Sequence, residues 1–223
     1  LVALAARRGV DIGGGWYLIH LTPGQTVTSA LPMLRALPGI AAADPSRVYS
    51  ALRTPNDPMV NSQYALSQVS AFAGWEYEVG NSSRVTIAVI DTGISGTHPD
   101  LTGKLTNTLS KAFTTDGVAT QSANNPPTAA CNHATRVAGV AAASTDNGAQ
   151  VAGMSWGAQL LSLKVFADAS CLAVGCTDAG CLTNDVAISS AIYHAISLQN
   201  TEAVGKVVIN MSLGGAGPCA AAV

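Results

Sequence analysis

The sequence predicts an α/β fold, a parallel sheet flanked by helices, and three observations carry that prediction. Val85 to Ile90 is an apolar run broken only by Thr86, the pattern of a strand buried on both faces. Helical and strand-like patterns alternate after it. A third strand candidate closes the series at Val207 to Leu213. Strands separated by helical stretches call for crossover connections, and these build parallel sheets covered on both sides.

Taken in order, His133 to Ala143 reads as a helix of small residues and Leu160 to Phe166 as a strand. Ile188, Ala191, Ile192, Ala195 and Ile196 fall at helical spacing, with Asp185 near the start of that helix. Upstream, the texture changes. Trp16 to Leu21 is a short apolar run, Leu31, Leu34 and Leu37 lie at helical spacing, and Val48-Tyr49 forms a second short run. This predicts a small strand–helix–strand unit, with Pro32 in the first helical turn, where its missing N–H does no harm. Leu1 to Arg8 read as a flexible propeptide start, the alternative being the tail of a signal peptide, for which the charges sit on the wrong side. The turn-rich stretch Arg53-Thr54-Pro55-Asn56-Asp57-Pro58 reads as a linker. Two regions follow, residues 1–55 and 56–223.

Composition bounds the partners. Apolar residues make up 48% of 223 residues and charged residues 11%, with a net charge of −2. Such a chain has material for a core but no basic patch, so neither nucleic acid nor an anionic membrane is an expected partner. No stretch approaches the roughly 18 consecutive apolar residues of a membrane span. The five cysteines, at 131, 171, 176, 181 and 219, lack the paired spacing of a zinc site. Disulfides in an oxidising compartment fit them better, the odd one being free or paired elsewhere. Cys171, Cys176 and Cys181 lie in a Gly- and Ala-rich stretch that reads as a loop.

Three segments carry candidate chemistry. Ile90-Asp91-Thr92-Gly93 puts a carboxylate at the C-terminal end of the first strong strand, where sites gather in open parallel sheets. Aspartic proteases also use Asp-Thr-Gly, but they need a second carboxylate site and an all-β fold, and no second copy is present. His133 opens a helix, whereas His20, His98 and His194 have no chemical context. Asn210-Met211-Ser212-Leu213-Gly214-Gly215 runs from a strand into a glycine pair. With His98-Pro99-Asp100-Leu101 and Val151-Ala152-Gly153-Met154, this ordered set resembles the subtilisin-like serine proteases over residues 55–223.

The resemblance implies a subtilisin-like α/β domain behind a small α/β propeptide, in a secreted serine endopeptidase acting on extended polypeptides. Asp91 would orient the imidazole of His133, and His133 would relay the proton of a serine nucleophile. Ser212, Leu213 and Gly214 would pair with the substrate backbone. The propeptide, cleaved near residues 53–60, would be a partner of the catalytic domain. No cofactor is required for this chemistry, and no metal ligand is assigned, although Asp100 matches a calcium-binding position in some members. The family's Gly-Thr-Ser-Met-Ala motif is absent, and Ala134 and Arg136 stand where the family has glycine and histidine. The alternative reading is a subtilisin-fold protein that binds peptides or a partner without catalysis. The purified 223-residue chain is expected to show no peptide-bond hydrolysis above background. Turnover that disappears in His133→Ala would contradict this.

Overall fold

The computed structural model describes residues 9–46, 53–82, 84–113, 119–120, 125–173 and 181–215. The chain forms two compact units, residues 1–50 and 51–223.

In the first unit, strands β1 (Gly9–Gly13) and β2 (Trp16–Ile19) form an antiparallel hairpin pairing Gly9 with Ile19 and Asp11 with Tyr17. Gly13, Gly14 and Gly15 all adopt positive φ, which is what lets the chain reverse so tightly. The partner of the Trp16 strand is therefore β1, a stretch to which the sequence pattern assigned no element. The expected strand at Val48-Tyr49 lies outside the described residues. Helix α1 (Val27–Arg35) is closed by a capping box, with Thr26 Oγ1 accepting from Ser29 N and Ser29 Oγ accepting from Thr26 N. This cap starts the helix earlier than the leucine spacing suggested, so Pro32 sits inside α1 rather than in its first turn.

The second unit opens with two short helices, α2 (Tyr64–Gln68) and α3 (Ala71–Trp75). Its sheet is built from β3 (Val85–Asp91), β4 (Lys111–Phe113), β5 (Ala119–Thr120), β6 (Gln159–Lys164) and β7 (Lys206–Asn210), in the order β5-β4-β6-β3-β7. The four strands β4, β6, β3 and β7 run parallel, and β5 pairs antiparallel at the edge. Helix α4 (His133–Ala142) covers one face. Its Ala134, Ala138 and Ala142 pack on Val89 and Leu160. After α5 (Asp168–Ala173), helix α6 (Asp185–Leu198) covers the other face, packing Ala187, Ala191 and Ala195 on Ala88, Ile90, Leu161 and Leu163. The predicted two-sided burial of β3 is thus realised.

Two expectations are corrected. The buried stripe of α6 is an alanine ladder at i, i+4 and i+8. The isoleucines lie to its side, Ile188 and Ile192 half-buried and Ile196 exposed, because methyl side chains let the helix sit close to the sheet. The third strand ends at Asn210 and is not buried on both faces, since among the described residues it pairs only with β3 and leaves Val208 exposed.

The stretch expected to be a linker is bound to the second unit. Asn56 N donates to Asp146 Oδ1 (3.1 Å), Asn56 Oδ1 accepts from Gly148 N (2.6 Å), and Asp57 Oδ2 accepts from Asp146 N (2.8 Å). Met59 N donates to Gln150 O (2.9 Å), while Pro55 and Asp57 are buried. Cys171 is disulfide-bonded to Cys181, and Cys131 is disulfide-bonded as well. Cys176 and Cys219 lie outside the described residues. The stretch read as a loop carries Cys171 on α5.

A buried cation supports the strand ends. Lys104 Nζ donates to Trp156 O (2.6 Å) and Ala158 O (3.1 Å), and burial lowers its pKa from 10.5 to about 8. Between those two values the unfolded chain holds a proton that the folded chain has released, so this residue's contribution to stability rises with pH across the window. Urea unfolding of Lys104→Met compared with the parent chain from pH 7.5 to 10 is expected to lose that rise. An unchanged pH slope would contradict the assignment.

Candidate active site

The site forms where β3 ends and α4 begins. Asp91 is the last residue of β3 and is 1% exposed. A carboxylate this deep needs partners, and it has them: Thr92 N donates to Oδ1 at 2.6 Å, and His133 Nδ1 lies 3.0 Å from Oδ1 and 2.8 Å from Oδ2. A carboxylate accepts this hydrogen bond, so the imidazole donates it from Nδ1–H, and Nε2 lies at the far edge of the ring. The His133 side chain is 48% exposed, so the ring edge away from Asp91 faces the surface.

Local sequence explains the placement. Gly93, at φ +99°, turns the chain immediately after the carboxylate. Thr92 Oγ1 accepts from Ala134 N (3.4 Å) and Thr135 Oγ1 accepts from Ser95 N (3.0 Å), tying this turn to the first turn of α4 from both sides. Ser162 Oγ on β6 accepts from Ile94 N (3.1 Å). Of these, Thr92 lay within the motif singled out in the sequence. Thr135 lay in the segment opened by His133, and Ser162 was not singled out, although a serine inside the apolar run Leu160 to Leu163 was a readable sign of a buried hydroxyl.

The structure brings Asp91 and His133 together. It places Ser212, Leu213 and Gly214 one strand over, at the same end of the sheet. Asn210 pairs with Val89, so Ser212 stands as far beyond that pair as Asp91 does. Ser212 and Gly214 are exposed, Leu213 packs partly on the α6 core, and Ser212 Oγ accepts from Asn210 Nδ2 (3.0 Å). The two departures from pattern are accommodated. Ala134 is fully buried within the α4 core, and the Arg136 residue is exposed to solvent.

Residues 82–223 match the Subtilase family. The chain belongs to the subtilase family. It is 32% identical to a thermophilic serine proteinase of Bacillus sp. (strain AK1), over 84% of this chain and 40% of that protein. It is 31% identical to thermitase of Thermoactinomyces vulgaris, over 73% of the chain and 48% of thermitase. A halolysin-like extracellular serine protease of Natrialba magadii is 32% identical over 78% of the chain and 29% of its own length. The chain thus spans less than half the length of each of these relatives.

Elsewhere in the subtilase unit, Asp100 is buried, with Oδ1 accepting from Asn147 Nδ2 and Oδ2 from Val151 N, both at 3.1 Å. Among the described residues no three His, Cys, Asp or Glu side chains are grouped so as to hold a metal ion, and no helix is long and apolar enough to cross a membrane.

Proposed function

We propose that this chain is part of a secreted serine endopeptidase in which Asp91 and His133 are two members of a Ser/His/Asp triad. The observation that carries the reading is the buried Asp91 carboxylate on His133 Nδ1, which leaves Nε2 free at the surface to take a proton. In this mechanism the serine Oγ, supplied from beyond the motifs of this chain, bonds to the scissile carbonyl carbon as its proton passes to His133 Nε2. The imidazolium, stabilised by Asp91, then protonates the departing amine, and water releases the acyl group by the reverse traffic. The exposed backbone of Ser212, Leu213 and Gly214 would pair with an extended substrate, giving affinity with loose sequence demands. The first unit would serve as a propeptide, removed on maturation.

Asp91→Asn in the intact protease is expected to lower kcat on the order of 10⁴-fold, because the amide no longer fixes the imidazole tautomer. A loss below tenfold would contradict a triad role.

A structural calcium ion is a second element of this reading. The residues fit a hard cation: Asp57 Oδ1 is buried without a hydrogen-bond partner, and the carboxylates of Asp57 and Asp100 both reach the loop 144–151. Asp57, Asp100 and Asn147 would hold it with carbonyls of that loop, and the ion would neutralise the buried acids. At a hundredfold excess over Kd, calcium should add about 2.7 kcal/mol of stability. Thermal unfolding with calcium and with chelator should therefore differ, and the difference should shrink in Asp57→Asn. Coincident curves would remove the ion from the account.

A further inference from the structure

Asn147-Gly148 is the only Asn-Gly pair in the chain. In such a pair the side-chain amide is open to attack by the next backbone nitrogen, because glycine puts no Cβ in the way. Both residues are exposed, in the loop between α4 and β6. The reacting groups are nevertheless held. Gly148 N donates to Asn56 Oδ1 at 2.6 Å, so the hydrogen of the attacking nitrogen is committed to a side chain from outside the loop. The amide that would be attacked is held at both ends, with Nδ2 donating to Asp100 Oδ1 (3.1 Å) and Oδ1 accepting from Ala149 N (2.9 Å). Asn56 is itself fastened to the loop, its N donating to Asp146 Oδ1 (3.1 Å).

We propose that Asn147 is a deamidation site and that the Asn56 side chain is the guard that keeps it closed. The inference goes beyond the peptidase reading and does not depend on it. Once Asn56 withdraws, Gly148 N bonds to Asn147 Cγ. The side-chain nitrogen leaves as ammonia, taking the hydrogen of Gly148 N, and a five-membered imide closes. Water opens the ring at either carbonyl, giving aspartate or, with the backbone routed through the side chain, isoaspartate. No oxidant or reductant takes part. The product has a carboxylate where Nδ2 had donated to buried Asp100, so a hydrogen bond becomes a like-charge contact. A brief release of Asn56 thus becomes a permanent change in the loop that also carries the proposed calcium ligands.

The test is peptide mapping by mass spectrometry of the full chain, incubated with chelator in mildly alkaline buffer. Parent, Asn56→Ala and Asn56→Ser are compared, with folding verified by circular dichroism. Both variants take away the acceptor for Gly148 N and keep the backbone bond to Asp146. Each is expected to deamidate Asn147 on the order of tenfold faster than the parent, the worth of one lost hydrogen bond. Asn81, which precedes Ser82, is expected to react at the parent's rate and reports on general unfolding. Asn147→Asp is expected to unfold at a lower temperature than the parent. Equal rates at Asn147 in parent and variants, or an equal acceleration at Asn81, overturn the guard. Asn147 that stays intact in the variants and in the urea-unfolded chain overturns the site, and an unchanged Tm in Asn147→Asp overturns its effect on the loop.

Discussion

The hydrogen bond between Asp91 and His133 is the constraint around which the second unit is arranged. A carboxylate with 1% exposure is tolerable only where donors meet it, and here they are one backbone N–H and one imidazole. The donors come from different elements, the turn after β3 and the first residue of α4. The helix therefore has to start at one place and at one depth. The bonds from Ala134 N to Thr92 Oγ1 and from Ser95 N to Thr135 Oγ1 fix that start, and Ser162 holds the turn from the neighbouring strand.

The packing serves the same end. Both helices that cover the sheet approach it through alanines, Ala134, Ala138 and Ala142 on one face and Ala187, Ala191 and Ala195 on the other. Short side chains place α4 near enough to β3 for an imidazole on its first turn to reach the strand's last carboxylate. They also leave little room for adjustment, because a close-packed interior feels even one added methylene. Buried Lys104 adds rigidity at some cost in desolvation. It holds the carbonyls of Trp156 and Ala158 just ahead of β6, whose Lys164 pairs in register with Asp91.

Much of this was legible in the sequence. The apolar run at Val85 to Ile90 and the small-residue pattern from His133 gave β3 and α4 nearly to their ends, and the ordered motifs named the two residues that meet. What escaped was set by tertiary contacts. The linker-like composition of Arg53 to Pro58 carried no sign that Asp146, Gly148 and Gln150 would bind it. Nor did helical periodicity distinguish alanines from isoleucines as the buried stripe of α6, since both fit one face and only the closeness of the sheet decides between them. The hairpin strand β1, with its glycines and an aspartate, carries no apolar run of its own, and only its pairing with Trp16–Ile19 defines it.

The central claim is that this chain itself builds a proton relay, whatever supplies the nucleophile. The most direct test is NMR of the purified chain with its histidines labelled with nitrogen-15. The account predicts a far-downfield imidazole Nδ1–H resonance, protected from solvent exchange, that vanishes in both His133→Ala and Asp91→Ala. In folded Asp91→Ala the His133 ring should exchange as freely as an exposed histidine. If no histidine Nδ1–H is protected in the parent chain, or if the signal survives Asp91→Ala, the buried carboxylate does not hold the imidazole and the account fails at its centre.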